Sequence, residues 1–361
     1  MTRAVAQTGP DAQGKRPAQR KARGGASGPT VADVALMAGV SAMTVSRVVN
    51  DGASVSEHTR TRVQQAIDAL GYVPNRAAQA LAGGRQCKIA LLHSNPSAAY
   101  LSEFLVGSLD QAARGEVQLV VEHCGEEPTA LLVERLQTHH VDGVLLPPPL
   151  CDDRDLLQAL HAAGLPLARI ATGQPGAGAI AVTIDDEAAA HAMTRHLIAQ
   201  GHTRIGFIEG NPNQSASALR RAGFERALRE TGLVADPALI AAGDFSYRSG
   251  LSAAERLLTQ TLRPTAVFAA NDDMAAACVA VAHRLSLDVP RDLSVCGFDD
   301  SAMATTIWPE LTTIRQPIAT MAQIATEMLG AAVRGKGAAK GHHRLDFELV
   351  RRDSDGPAPK L

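Results

Sequence analysis

The chain has 361 residues, of which 45% are hydrophobic and 20% charged, so it carries enough apolar material for two or three globular domains. No run of about 18 uncharged apolar residues occurs, and no apolar stretch lies among the basic residues near the N-terminus. These observations argue against a membrane span and a secretory signal, and they predict a cytoplasmic protein. Five widely spaced cysteines without a CxxC pair favour reduced thiols over a disulfide framework or a zinc site.

The net charge of −2 hides an asymmetry between the two ends of the chain. Residues 1–86 contain 11 Lys and Arg against 5 Asp and Glu, whereas the remaining 275 residues contain 24 against 32. A basic front on an acidic body suggests a nucleic-acid-binding module joined to a body with another task. Most of the excess lies in residues 1–29, whose composition predicts a disordered tail, so charge alone does not establish DNA binding.

Residues 30–71 predict three short helices. Thr30, Ser41 and Ser56 are candidate N-caps, while Gly39 and Gly71 are natural helix ends. The tight turn between the first two helices is typical of a helix-turn-helix, in which the second helix enters the major groove of DNA. A three-helix bundle that binds another protein remains an alternative on this pattern alone.

The second predicted helix, from Ala42 to about Asn50, exposes Ala42, Met43, Ser46 and Arg47. An arginine here can bind guanine with two hydrogen bonds, whereas Ala42 and Met43 offer only apolar contact to a thymine methyl group. Hydroxyl side chains suited to phosphate contacts are Ser41, Thr44 and Ser46.

The run TVADVALMAGVSAMTVSRVVN, followed by VSEHTRTRVQQAIDALGYVPNRAAQALAGG, resembles the headpiece of the LacI/GalR (lactose-repressor type) family of bacterial transcriptional regulators. The resemblance implies a DNA-binding headpiece at 30–73 and a hinge helix with linker at 74–87. In that family a leucine, here Leu81, inserts into the minor groove at a central CG step; the alternative is an apolar linker residue packed on the body. The DNA-binding residues expected from the pattern and the resemblance are Thr30, Ser41, Ala42, Met43, Thr44, Ser46, Arg47, Asn50, Asn75, Arg76, Ala78 and Leu81.

From Lys88 onward, short apolar runs alternate with helical stretches, which predicts an α/β body with parallel sheets. The runs are Ile89–Leu92, Leu119–Val121, Gly143–Leu146, Ile205–Ile208, Ala266–Ala269 and Leu293–Cys296. Because about 270 residues are many for one sheet, we expect two lobes. The first should span 88–188 with a return at about 317–345, and the second 189–316 with about 346–356.

Several motifs of the body resemble the regulatory domain of the same family, which shares its two-lobed architecture with periplasmic sugar-binding proteins. They are GHTRIGFI at 201–208, RRAGF at 220–224, ANDDMA at 270–275, GFDD at 297–300 and LTTIRQP at 311–317. Ligands of open α/β sheets bind outside the carboxyl ends of strands, and Asn271 and Asp299 each follow an apolar strand. Arg220 is expected to open a helix near another strand end.

The resemblance places the ligands of sugar hydroxyls at Arg220, Asn271 and Asp299, and a stacking aromatic at Phe245. Each has a structural alternative: a helix cap for Asn271 or Asp299, a surface charge for Arg220, and a core residue for Phe245. In the first lobe, Ala171 stands near the position where some members have an aspartate. In the first lobe, Ser94 matches a position of the family that often touches the effector, and Tyr100 is expected to compensate for the missing aspartate.

The expected partners are a palindromic DNA operator centred on CG, a small carbohydrate and a second copy of the chain. A neutral sugar or short oligosaccharide is favoured over a sugar phosphate, because no basic cluster or Gly-rich helix start appears in the body. The C-terminal residues contain two prolines and no heptads, which predicts a homodimer. Release of a repressor by the sugar is the expected logic, and ligand-aided DNA binding is the alternative.

Two other classes of function compete with this interpretation. An enzyme is disfavoured because no GxGxxG follows a strand and no GxSxG, P-loop or HExxH occurs, and no cofactor or metal is expected. A transport-type sugar-binding protein would fit the body but not the predicted headpiece. A sensor that has lost operator binding is a further alternative.

Overall fold

The computed structural model describes residues 29–49, 55–72, 87–125, 127–176, 179–335 and 341–359. The chain forms two compact units, Met1–Arg85 and Gln86–Leu361. Five of the expected DNA-binding residues lie outside the described residues, as do most of the predicted tail and hinge; they are Asn50, Asn75, Arg76, Ala78 and Leu81.

The first unit contains the three predicted helices, α1 (Val31–Ala38), α2 (Ala42–Val49) and α3 (Glu57–Leu70). Thr30 and Asp33 form a capping box at the start of α1, and Gly39 ends that helix with a φ of 62°, a left-handed conformation that glycine adopts without strain. The axes of α1 and α2 bend by 103° at this turn, as in a helix-turn-helix. Their small core is built from Val34, Ala35, Ala38, Val45, Val48, Val63, Ala66 and Tyr72.

The second unit begins with a six-stranded parallel sheet. Its strands are β1 (Cys87–His93), β2 (Val117–His123), β3 (Gly143–Leu146), β4 (Leu167–Ile170), β5 (Ile180–Thr183) and β11 (Gly341–Arg344), in the order β11-β5-β4-β3-β1-β2. Helices α4 (Ala98–Arg114) and α12 (Ile318–Val333) contact one another and strands of this sheet, and α5 (Thr129–Thr138) contacts α6 (Arg154–Ala162).

Alternation along β1 explains the two helical layers. Ile89 and Leu91 point into one core together with Phe104 of α4, whereas Ala90 and Leu92 join a second core with helices α5 and α6. Strands that are buried on both faces have continuous apolar sequences. The strands of the body could therefore be predicted from short apolar runs. We call this sheet with its helices the first lobe.

The second lobe is built on a four-stranded parallel sheet of order β7-β6-β8-β9. The strands are β6 (Ile205–Ile208), β7 (Ile240–Ala241), β8 (Ala266–Ala269) and β9 (Ser294–Cys296). The helices are α7 (Asp186–Ala199), α8 (Ser215–Glu230), α9 (Tyr247–Leu258), α10 (Asp272–Arg284) and α11 (Ala302–Thr306). The stacked rings of Phe207 and Phe224, 4.8 Å apart, fix α8 on β6.

The last segment returns between the lobes. Strands β10 (Thr313–Arg315) and β12 (Glu348–Val350) pair as a two-stranded antiparallel sheet. In the chain, β10 precedes α12 and β11, and β12 follows them. All six strands expected from apolar runs are confirmed, as is the α/β class of the body. Within the described residues, no single helix is long and apolar enough to span a membrane, and the pair α1 and α2 passes that test only jointly, across its bend.

Candidate functional site

The headpiece presents one face of α2 to solvent. Ser41, Ala42, Met43 and Arg47 are exposed, and 66% of the Met43 surface is accessible. The Ser41 hydroxyl accepts a hydrogen bond from the Thr44 backbone N–H at 3.1 Å, so it caps the helix while staying at the surface. Arg47 lies one turn after Met43, with Nη2 3.8 Å from the Met43 sulfur. An exposed methionine and arginine on the second helix are suited to a major groove.

The second unit contains a pocket between its two lobes, with about 360 Å³ of space that includes an opening to solvent. Strand ends and helix starts of both lobes surround it, as expected at the carboxyl edges of parallel sheets. The first lobe contributes Asn95, Ser97, Tyr100, Pro148 and Ala171. The second lobe contributes Gln214, Ala216, Arg220, Phe245, Asn271 and Asp299, and Gln316 follows strand β10. We call it the interlobe pocket.

Arg220 is a buried side chain that the surrounding atoms hold in place. It donates from Nε to Asp186 Oδ1 at 2.9 Å and from Nη1 to the Ala270 carbonyl at 2.5 Å, and it is only 4% exposed. Its guanidinium carbon stacks 3.6 Å from the centre of the Phe298 ring. The surface-charge alternative is therefore wrong for Arg220. The adjacent Arg221 is the surface charge, as it pairs with two partners, Glu209 and Glu225.

The expected position of Arg220 within its helix is also wrong. The sequence suggested that it opens a helix, whereas α8 begins at Ser215 and Arg220 lies in its second turn. The helical residues before the RRAGF motif, 215–219, alternate serine with alanine and end in one leucine, so they give little apolar periodicity and the start of the helix was hidden.

Asp299 carries a carboxyl group on the wall of the interlobe pocket. It accepts a hydrogen bond from Gln316 Nε2 at 2.6 Å, and Oδ1 lies 3.8 Å from Arg220 Nη1. Burial raises the pKa of Asp299 to about 7, although the Arg220 guanidinium acts in the opposite direction. Asp299 does not cap a helix, because Ser301 holds the N-cap position of α11.

Asn271 caps a helix, as one of the two interpretations of the sequence had it, and it also lies on the pocket wall. Its Oδ1 accepts from the Met274 N–H at 3.0 Å and caps α10, and its Nδ2 donates to the Phe245 carbonyl at 2.9 Å. The same side chain lines the pocket, and an amide has one further hydrogen and lone pair with which to bind a ligand.

Phe245 forms an apolar wall of the pocket and sits at a φ of 71°, a conformation that is costly for an aromatic residue. Its ring covers Gly210, where a Cβ atom would lie 2.0 Å from the ring carbon Cζ. Glycine at 210 is therefore required for this ring position.

Two buried polar atoms on the pocket-lining residues lack a hydrogen-bond partner among the described residues. They are the Tyr100 hydroxyl, on a residue that is 5% exposed, and Gln316 Oε1, on one that is 2% exposed. Burial raises the pKa of Tyr100 well above its usual value, so this hydroxyl stays a neutral donor and acceptor. Buried polar groups are rarely left unpaired, and two on one pocket indicate a polar ligand.

The structure separates Ser94 from the other expected ligands. Ser94 follows β1 but lines a neighbouring, larger cavity together with Asp152 and Asn211. Sequence reasoning did not select Asn95, Ser97, Gln214 or Gln316 as ligands. Gln316 directly follows strand β10, so the rule that ligands bind at strand ends could have found it. No group of three His, Cys, Asp or Glu side chains is placed to hold a metal in the described ranges.

Comparison with known proteins finds family models for both units. Residues 30–75 match "Bacterial regulatory proteins, lacI family", and residues 194–354 match "Periplasmic binding protein-like domain". The transcriptional regulator DegA of Bacillus subtilis is 34% identical over 91% of this chain and 98% of its own length. GalS of Salmonella typhimurium is 36% identical over 90% and 96%, and CelR of Thermobifida fusca 36% over 90% and 98%.

Two solved structures share the architecture over nearly their full lengths. A complex of the transcriptional regulator CelR with cellobiose aligns with a TM-score of 0.70 and 33% identity, covering 90% of this chain and 99% of that one. A Lac repressor dimer bound to operator and the anti-inducer ONPF aligns with a TM-score of 0.75 and 30% identity, covering 91% and 99%.

Proposed function

Because this chain belongs to the lacI family of bacterial regulatory proteins, we propose that it is a sequence-specific DNA-binding repressor whose operator binding is released by a neutral sugar. The observation that carries the sugar is the interlobe pocket. It combines the charged groups of Arg220 and Asp299 with an aromatic wall and two unpaired polar atoms. The proposed regulated genes are those of carbohydrate use.

The chemistry of the pocket favours a polyol over an anion. A sugar ring presents hydroxyls, each a donor and an acceptor, at its edge and C–H groups on its faces. Asp299 and Gln316 Oε1 can accept from such hydroxyls, Arg220 can donate to them, and Phe245 can cover an apolar ring face. Arg220 is already paired with Asp186, so the pocket has little positive charge left for a phosphate.

Support for DNA binding comes from the headpiece. Its second helix is capped at the surface and presents Met43 and Arg47, and the solved relative with operator is a Lac repressor dimer. A dimer places two such helices on a palindrome, with half-sites one or more helical turns apart. We propose the same assembly here, acting in the bacterial cytoplasm where the operator is.

The proposed protein is a regulator and not an enzyme, and it needs no cofactor. The support is that the relatives named above are transcriptional regulators and that this chain matches almost their whole length. Ligand-aided DNA binding by the same family is the second candidate, because the fold leaves the direction of coupling open.

The test is fluorescence anisotropy of a labelled palindromic duplex with a CG centre, taken from the promoter of the protein's own gene. Glucose, galactose, xylose, cellobiose, lactose and glucose 6-phosphate are then titrated at fixed salt. We expect nanomolar binding that one neutral sugar releases. Binding that appears only with a sugar supports the second candidate, and binding that no member of the panel changes contradicts the sugar assignment.

A further inference from the structure

The two lobes are joined by hydrogen bonds beside the interlobe pocket. Asp152, between β3 and α6 of the first lobe, accepts from the Ser215 backbone N–H at 2.8 Å and from the Ser215 hydroxyl at 2.6 Å. Ser215 is the first residue of α8 in the second lobe. The Gly173 N–H of the first lobe donates back to the same hydroxyl at 2.6 Å. We call these contacts the Asp152 bridge.

The Asp152 bridge supplies α8 with the cap that its own sequence lacks. The residue before the helix, Gln214, makes no side-chain cap hydrogen bond. Other helices of the body are capped locally, for example α6 by Asp153 and α7 by Asp185. A carboxylate at a helix N-terminus satisfies free N–H groups and complements the positive end of the helix dipole. For α8 that carboxylate comes from the opposite lobe.

The first lobe holds the Asp152 carboxylate in position for this contact. Oδ1 accepts from Thr172 Oγ1 at 2.6 Å and from Arg169 Nη2 at 3.2 Å, both in the first lobe. Oδ2 is the atom that binds Ser215. One oxygen therefore fixes the side chain within its own lobe, and the other is directed across the cleft.

A second bridge joins a different pair of elements. The Ser97 hydroxyl, at the N-terminus of α4, donates to Asp273 Oδ2 of α10 at 2.5 Å. Ser97 also caps α4, because its hydroxyl oxygen accepts from the Tyr100 N–H at 3.2 Å. Both bridges consist of protein atoms only, and each has a carboxylate as acceptor, which makes its hydrogen bonds stronger than neutral ones.

We propose that Asp152 is an N-cap supplied across the cleft, and that with the Ser97 bridge it holds the lobes together without help from a ligand. A ligand then enters when the bridges open, and the fraction of open molecules scales its apparent affinity. The helix that Asp152 caps carries Arg220, so closure and placement of Arg220 are coupled. This inference goes beyond the proposed function and does not depend on the identity of the sugar.

The test is hydrogen–deuterium exchange of the full-length chain, with no sugar or DNA added, comparing wild type with Ser215→Ala. Loss of the hydroxyl removes two of the three bonds of the Asp152 bridge. We expect about fivefold faster exchange in peptides covering 169–176 and 211–219, the effect of losing a typical cap. If the lobes part as units, the first turn of α4, residues 98–101, exchanges faster as well, although no Ser215 atom contacts it in the hydrogen bonds described.

Two further variants make the result decisive. Ser252→Ala changes an exposed serine on α9 and should leave all three peptides unchanged. Gly173→Ala keeps Ser215 but places a Cβ 2.7 Å from Leu219 Cδ1 and 3.0 Å from Ser215 Oγ, so it should wedge the same contact apart and reproduce the pattern. Faster exchange confined to peptides 169–176 and 211–219, with residues 98–101 unchanged, would show that the bridge is only a local cap. No change in any of the three peptides would show that the bridge does not hold the lobes together. Either result would overturn the proposal.

Discussion

The Tyr100 hydroxyl is a buried polar group whose removal should change ligand affinity without lowering thermal stability. It has no partner among the described residues, so its removal deletes no hydrogen bond of the protein. We expect Tyr100→Phe to leave the melting temperature unchanged or slightly higher. If the hydroxyl binds a sugar hydroxyl, the same change should weaken sugar binding about 2- to 13-fold, the typical contribution of one neutral hydrogen bond.

Isothermal titration with whichever sugar releases the operator, together with a thermal scan, measures both effects. The matched control is Tyr247→Phe, since Tyr247 is 41% exposed at the start of α9 and does not line the pocket. A lower melting temperature with unchanged sugar affinity would make Tyr100 a structural residue.

The carboxyl of Asp299 predicts a pH dependence of sugar binding. Burial raises its pKa to about 7, Arg220 and the Gln316 hydrogen bond lower it, and the nearby Asp273 and Glu103 carboxylates raise it. A sugar hydroxyl that donates to Asp299 favours the ionised form, so binding lowers this pKa and releases a proton. Affinity should therefore level off above about pH 7 and fall at lower pH, by at most about tenfold per pH unit.

Asp299→Asn tests this assignment, because asparagine does not titrate. The variant should bind the sugar more weakly, with an affinity that is flat between pH 8 and 5.5. None of the twelve described residues that line the pocket is a histidine, so the usual group titrating in this range is not at the pocket wall. A slope that persists in Asp299→Asn would place the titrating group elsewhere.

At the scale of single elements, α2 is the part of the headpiece on which base recognition should depend. Arg47 is exposed, and Arg47→Ala should leave the thermal unfolding of the headpiece unchanged. Its loss should reduce affinity for the operator by about 1–3 kcal/mol while binding to unrelated DNA changes little. Arg291→Ala serves as the control, since Arg291 is an exposed residue of the second lobe paired with Asp288. Equal losses on operator and unrelated DNA would reduce Arg47 to a phosphate contact.

The sequence predicted those parts of the pocket that follow from strand ends. Asn271 and Asp299 could be placed because buried parallel strands are short apolar runs and their carboxyl ends share one edge of a sheet. Contacts across the cleft could not be predicted. Asp152 and Ser215 are 63 residues apart and belong to different lobes, so no local period or spacing relates them. The unpaired state of Tyr100 is likewise a property of its surroundings, which only the packed structure shows.

At the scale of the whole molecule, the two units must communicate if a sugar is to release DNA. Coupling between two binding sites is a free energy and is reciprocal. If the sugar weakens operator binding by a given factor, the operator must weaken sugar binding by the same factor, commonly about 5- to 150-fold. Operator anisotropy with and without saturating sugar measures how much the sugar weakens operator binding. Isothermal titration of the sugar into free protein and into the protein–operator complex, at the same salt concentration, measures how much the operator weakens sugar binding.

A variant of the Asp152 bridge provides a control for this comparison of coupling factors. Ser215→Ala removes contacts within the body and leaves the headpiece sequence intact, so it should change sugar affinity for the free protein without changing binding to unrelated DNA. The two coupling factors should stay equal to one another in the variant, whatever their new value, because linkage does not depend on mechanism. Unequal factors would mean that the sugar or the DNA binds at an additional site, and the model of one pocket and one headpiece face per chain would then be wrong.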